Sequence, residues 1–509
     1  MSSIQEQYES LSYPHYVHSL SDPARLSAIG QILGLKTSDP GASRVLDIGC
    51  GAGTNLLAMA ARMPGSRFLG LDFSAPDIAS AQALAAEAGL VNVEFRQTDL
   101  MAWQPHGAKF DTIIAYGFFS WVPDEVKDRL LHVVAECLAP QGLACISYMT
   151  YPGCKQPEAL RDLLRLRTEA RTEPAEKVAL AHATLDFLDR SWQALPKLPH
   201  SGYLREEVRR IRVKEPNFLL LDDLGVERDP CYLLQFTTWA AEHGLKYLGE
   251  SEFHTMLLGN LPATSARELA AMQLDQIETE QILDYVTNRA FRCTLLVGPE
   301  AQVSAGMHAE AMLDLCFASK LRLAGKQKPG AAEGRFEIER RSSPMTLRSV
   351  PLVAFVRTLV QRKGALTPYR EALADAQQLA GKNFTEDEEA QLCEDLLALY
   401  GRRALLLSSL PFIPVAEVPE RPRLTPLNFA LARHRTMVIT AFHDSIRLNA
   451  EEQACCSLLD GTRTLAELRA TEAGKALGVK LEPYLQTLCR VGAIMTEDRP
   501  SVSSSTPTS

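Results

Sequence analysis

The sequence has no apolar run near the roughly 18 residues needed to cross a bilayer, and its first ten residues, MSSIQEQYES, lack the basic-then-apolar order of a secretory leader. A cytoplasmic protein without membrane insertion is the expectation. Positive charge is also scarce. Lys and Arg number 53 against 62 Asp and Glu, a net charge of −9, the wrong sign for holding a nucleic-acid backbone by bulk attraction. No nucleic-acid partner is expected. The eleven cysteines are scattered between Cys50 and Cys489, and the adjacent pair Cys455 and Cys456 sits in an apolar, helix-like stretch without ligand spacing. They read as buried thiols rather than zinc ligands or disulfides. The histidines show no metal-ligand spacing either, and neither a P-loop nor a nucleophile elbow occurs.

What is present is a chain of 509 residues, 46% apolar and 23% charged, the composition of a folded globular protein of about three domains. From residue 44 to 150 short β-branched or apolar runs alternate with helical patterns, the rhythm of an α/β protein with a doubly wound parallel sheet. RVLDI (44–48), RFLGLD (67–72), VEFRQTD (93–99), FDTIIAYG (110–117) and GLACISYM (142–149) read as strands. HGLKYLGES (243–251) and FRCTLLVG (291–298) read as two more that return to the same sheet, which makes the charged, helix-rich stretch before them an insertion over its carboxyl edge.

The expected organisation is a core with an N-terminal lid (1–156), a helical insertion (157–230), a region of return strands (231–298) and a mostly helical, winged-helix-like domain (299–410). That domain carries a loop at KQKPGAAEG and a strand at RFEIERR. Pro411, Pro414, Pro419, Pro422 and Pro426 mark a linker (411–426), since proline favours extended backbone. A winged-helix-like module (427–498) and a disordered Ser/Thr tail (499–509) complete the chain.

Chemistry concentrates in VLDIGCGAGTNLLAMA (45–60), a strand, a glycine turn and a helix. Gly49, Gly51 and Gly53 let the backbone approach a ligand, and the helix offers free N–H groups. A dinucleotide site would seat pyrophosphate there and has no use for a carboxylate beside it. Asp47, two residues before the first glycine, instead suits the ammonium of a methionine moiety, which points to S-adenosyl-L-methionine. Asp72 ends the second strand, where a carboxylate meets ribose hydroxyls. Asp99 ends the third, placed for the adenine amino group beside apolar Leu100. Cys50, Asn55, Phe73, Ala115 and Tyr116 complete the expected cofactor set.

DIGCGAG, GLDFS, TDL and FDTIIAYG resemble the motif series of class I S-adenosylmethionine-dependent methyltransferases. Further segments, among them YESLSYPHYVHSLSDPARL (8–26), FFSWVPDEVKDRLL (118–131), DPCYLLQFTTWAAEHGLKYLGE (229–250) and LLDGTRTLAEL (458–468), are similar to bacterial members bearing a methyltransferase regulatory domain. These include protein lysine methyltransferases acting on outer-membrane proteins. The resemblance implies a Rossmann-like seven-stranded sheet with a helical insertion and C-terminal α+β modules, and a lysine side chain as methyl acceptor. The chain departs from that group at Ser21-Asp22-Pro23 and at Met149, which suggests an altered substrate side.

Methyl transfer needs alignment and exclusion of water more than acid-base machinery. Tyr116 and Trp121 are the expected acceptor-site residues at the end of the fourth strand, with Tyr13 from the N-terminal segment; Phe118 lies beside the former and His15 and Tyr16 beside the latter, Tyr148 and Tyr151 flank the end of the fifth strand, and Phe119 reads as core. Asn288, Arg289 and Arg292 read as polar support between a helix and a strand. The functional expectation is methylation of protein lysine, the C-terminal modules gripping a polypeptide or pairing two subunits as a homodimer. Methylation of a small molecule or peptide metabolite, and a cofactor-sensing regulatory protein, are the alternatives.

Overall fold

The computed structural model describes residues 16–195, 201–225, 227–325, 332–338 and 344–495. Tyr13, His15, the tail 499–509 and most of the KQKPGAAEG loop lie outside these residues. Seven strands form one sheet: β1 (Arg44–Ile48), β2 (Arg67–Asp72), β3 (Val93–Gln97), β4 (Phe110–Ala115), β5 (Leu138–Met149), β6 (Lys246–Glu250) and β7 (Phe291–Val297). Their order is β3-β2-β1-β4-β5-β7-β6. The first five run parallel, and β7 pairs antiparallel with both β5 and β6. This is the expected Rossmann-like sheet, with both late strands returned to it. β3 stops at Gln97, so Asp99 lies in the turn beyond it.

The parallel strands are buried on both faces by helices, which is why they read as continuous apolar runs. On one side lie α1 (Pro23–Ile32), which follows the lid, α2 (Thr54–Arg62) and α3 (Ala75–Glu87); α4 (Asp124–Cys137) precedes β5. α2 begins after Gly53, which takes φ 72°. Ser74 caps α3, its hydroxyl accepting from the Asp77 N–H.

The insertion contributes α5 (Lys155–Thr168), α6 (Pro174–Ala194) and α7 (Ser201–Arg212), which share a small apolar core of their own around Leu164, Leu185 and Leu219. It leaves the sheet at Thr150 and comes back at Cys231, and these two residues form a bridge. α8 (Leu233–Glu242), α9 (Ala263–Ala271) and α10 (Gln276–Thr287) flank the return strands.

Residues 299–410 are richer in strand than expected. Besides α11 (Val350–Gln361), α12 (Tyr369–Ala380) and α13 (Glu386–Gly401) they form two three-stranded sheets, one containing Glu333–Ile338 at the anticipated position. The others are two to five residues long, too short for a period-two pattern to stand out. In the proline-rich stretch, regular structure resumes at Arg423–Leu424, and Pro426 opens α14 (Pro426–His434) at the first helical position, where a missing N–H costs nothing. α14 packs its buried Leu427, Ala430 and Leu431 into the same apolar cluster as Leu56, Met59 and Leu84, so the last module is fixed to the core.

Candidate active site

At the carboxyl edge of the sheet, where β1 and β4 end, lie two adjoining cavities of about 520 and 230 Å³ that share Gly49, Asp72, Phe73, Phe118, Trp121 and Val122. The glycine turn makes this space. Gly49 sits at φ 77°, and a Cβ there would come within 2.5 Å of the Phe118 ring. Gly51, at φ 51°, aims its N–H at Asp72 Oδ2, 2.8 Å away, while the Ser74 N–H donates to Oδ1 at 2.9 Å. Asp72 is thereby held rigid, with lone pairs left for a ligand.

Asp47 is buried on the larger cavity, and among the described residues nothing donates a hydrogen bond to it. Burial first, and then the charge of Asp72, push its carboxyl up to about 7. Burial likewise raises Asp72, against the pull of the Ser74, Gly51 and Phe73 backbone donors. A buried and a half-buried carboxylate facing one cavity are an unmet demand for a ligand with a cation and hydroxyl groups. Asp99 and Leu100 line the smaller cavity with Phe73, Gln97 and Ile48. The Asp99 carboxylate also accepts from the Met101 N–H at 2.9 Å, which turns the chain. These residues suit the groups of a sulfonium nucleoside, carboxylates for its ammonium and hydroxyls and an apolar slot for its purine.

Not every expected cofactor residue has a free group. Cys50 lines the larger cavity with its thiol pushed well up by burial and the neighbouring Asp72 and Asp47, so it is a neutral wall. Ala115 is fully buried and lines neither cavity. Asn55 lines the larger one, but its carboxamide is spent on protein. Its Oδ1 accepts from the His18 N–H at 3.0 Å and from His443 Nε2 at 2.9 Å, and its Nδ2 donates to Ser21 Oγ at 3.1 Å.

The remaining wall is aromatic. Tyr116, Phe118 and Trp121 line it together with Tyr16, Met149 and Phe291. Phe119 is fully buried, packed edge-on to Phe236, as expected of core. Tyr148 is also fully buried, stacked on Phe236 and hydrogen-bonded to Thr294, and Tyr151 packs against Tyr232 and Lys155; neither lines the cavity.

A residue missed in the sequence is His18. Its ring stacks on Tyr116 with centroids 4.0 Å apart and planes 19° off parallel. Burial pushes its pKa down to about 4, so it is neutral at physiological pH. The two departures separate here. Met149 lines the cavity, whereas Asp22 turns away to pair with Arg62 at 2.6 and 2.8 Å. Arg292 is fully buried and bonds Asp284 at 2.8 and 2.9 Å and Glu250 at 2.9 Å, the support role expected of it.

A family model described as "Methyltransferase domain" matches residues 45–142, and one described as "Predicted methyltransferase regulatory domain" matches residues 215–298. In sequence the chain is similar to uncharacterized protein RP789 of Rickettsia prowazekii (strain Madrid E), 31% identical over 301 residues, which is 59% of this chain and 54% of that protein. It is similar to uncharacterized protein RP028 of the same organism, 31% identical over 241 residues, 47% of this chain and 96% of that protein. The chain thus spans about half the length of the first relative and nearly all of the second. In structure it is similar to PKMT2 from Rickettsia typhi in complex with AdoHcy, with a TM-score of 0.84 and 25% identity over 95% of this chain and 99% of that one.

Proposed function

We propose that this chain, which belongs to the S-adenosylmethionine-dependent methyltransferases carrying a methyltransferase regulatory domain, transfers methyl groups to lysine side chains of a protein. One observation carries the reading: an uncharged aromatic wall of Tyr116, Phe118 and Trp121 adjoins the carboxylate-lined cofactor pocket. The similarity to PKMT2 and the segments that resemble the regulatory-domain group, which includes lysine methyltransferases, support it.

Asp47, Asp72, Asp99 and Leu100 would hold the cofactor, which supplies a methyl on a positively charged sulfur. The acceptor nitrogen forms its bond to carbon as the carbon–sulfur bond breaks and its electron pair goes to sulfur. Only a neutral amine has the lone pair for this, so a lysine must first shed a proton. His18 is no base for that step, because a group near pKa 4 faces an ammonium of about 10.4, a gap of roughly six units. The proton leaves to water at the cavity mouth, helped by desolvation among aromatic rings, which lowers the ammonium pKa. His18 and Tyr116, stacked together, then close one side of the site and exclude water.

The test is to incubate the protein and a cell extract with methyl-labelled S-adenosylmethionine and hydrolyse the products. Label in methylated lysine is expected. Label in small molecules only would replace the reading with metabolite methylation, and no transfer would leave a cofactor-sensing protein.

A further inference from the structure

A separate cavity of about 510 Å³ lies where α3 of the core meets the last module, within the size range of small-molecule sites. It shares no lining residue with the two cavities of the active site. Leu84 and Met437 give it an apolar part, and Arg435 and Arg447 supply two guanidinium groups. Arg435 also joins it to the cofactor loop, because it donates to the Ala52 carbonyl and to Thr54 Oγ, both residues of the larger active-site cavity.

The partners of these cations leave room for an anion. Arg435 is half-buried and meets neutral oxygens alone: the Ala52 carbonyl at 3.3 Å, Thr54 Oγ, and Ser80 Oγ at 2.8 Å. Its Nε–H has no acceptor among the described residues. Burial pushes the Arg435 pKa down to about 10, and Asp77, which lines the active-site cavity instead, offsets this only in part through space. Glu87 is the one acid in the wall among the described residues, and Arg433 and His434 both bond it at 2.9 Å. Arg447 pairs with Glu215 at 2.8 Å and donates to the Tyr16 hydroxyl at 3.4 Å, contacts that lie outside the cavity wall. Its side chain is 66% exposed and that of Glu215 49%, and an ion pair so exposed holds weakly. Arg447 is thus able to exchange Glu215 for a ligand.

We propose that this cavity binds a small phosphate-bearing molecule, its phosphate taken by Arg435 and Arg447 and its apolar part laid on Leu84 and Met437. A guanidinium fork matches phosphate oxygens two at a time, which a point cation does not. A half-buried cation that meets only dipoles gains most from such a partner. Two guanidiniums also suit a group that carries two charges on one centre better than they suit carboxylates held apart on a chain.

The test uses the full chain saturated with AdoHcy, so that the glycine turn is closed to the probe. Inorganic pyrophosphate is titrated by calorimetry at constant ionic strength, with succinate as the dicarboxylate control. Pyrophosphate should bind with a Kd below about 1 mM, and succinate about tenfold more weakly. Ala83→Glu sets a second acid in the wall at an exposed helix position, and Arg447→Met removes one guanidinium. Each should weaken pyrophosphate about tenfold, the loss of one charge-assisted hydrogen bond. Retained AdoHcy binding shows that each variant is folded. No binding of pyrophosphate, succinate binding as tightly, or a pyrophosphate affinity unchanged in either variant overturns the proposal.

Discussion

Asp47 is the residue whose chemistry most constrains the site. Its carboxyl is raised to about 7, so between roughly pH 4 and 7 the native protein binds a proton that the unfolded chain has lost. Stability of the ligand-free protein therefore falls as pH climbs through that window, with the full cost present above it. With the ammonium placed at Asp47 as proposed, ligand binding should have the opposite slope, because the ammonium needs the ionised form. AdoHcy affinity should rise about 20-fold between pH 5.5 and 7.5. Asp47→Asn should bind more weakly and lose most of that slope, the remainder coming from Asp72, which is raised as well. Calorimetry at five pH values measures this, and an unaltered slope in Asp47→Asn would remove Asp47 from the ammonium site. Tyr116 makes a second case. Among the described residues its hydroxyl has no hydrogen-bond partner, and it lines the cavity. Tyr116→Phe should leave AdoHcy affinity unchanged and lower kcat, and unaltered kinetics would assign the ring to packing alone.

At the scale of elements, β6, β7 and α10 are tied chiefly by Arg292, with Arg289 also reaching Glu250 at 3.4 Å and Asp284 at 3.9 Å. Arg292 of β7 bonds Glu250 of β6 and Glu280 and Asp284 of α10, all of them buried. Removing one partner of a buried ion pair leaves the others uncompensated and costs about 3–5 kcal/mol. Arg292→Met should lose that much in urea unfolding at neutral pH, with part regained in mild acid. Burial already raises the Glu280 and Asp284 carboxyls, and protonation relieves them further. An unfolding midpoint that does not move would show that the network contributes nothing net. These elements were legible in the sequence because buried strands are long apolar runs and because DYVTNRAF sets polar groups where a helix meets a strand. The glycine turn and the acids at the ends of β1 and β2 were legible for the same reason, since adjacent residues fix their geometry. His18 was not, as one imidazole among several aromatics in YPHYVHSL has no local mark to show which ring faces inward.

Across the whole molecule, the last module acts on the cofactor loop from nearly four hundred residues away, a relation no local pattern carries. Arg435, just past α14, donates to the Ala52 carbonyl at 3.3 Å, to Thr54 Oγ and to Ser80 Oγ at 2.8 Å, so it clamps the start of α2 to α3. His443 reaches Asn55 Oδ1, which also receives the His18 N–H. Because that backbone donor fixes which end of the carboxamide is oxygen, His443 must carry its proton on Nε2. Burial pushes the His443 pKa down to about 3, so the latch does not switch near neutral pH. A few residues on, Arg62 joins Asp22 of the lid to the Ala441 carbonyl. Glycine loop, lid and last module are thus one hydrogen-bonded unit, and the module should set cofactor affinity without touching the cofactor. His443→Ala removes one buried hydrogen bond from Asn55 and should weaken AdoHcy binding about tenfold. Amide exchange in residues 18–22 should rise with it, while the sheet stays protected. In Asn55→Ala the same His443 change should add almost nothing, since the two act through one bond. Additive losses in that cycle would mean that the module steadies the fold in general and leaves the lid to hold itself.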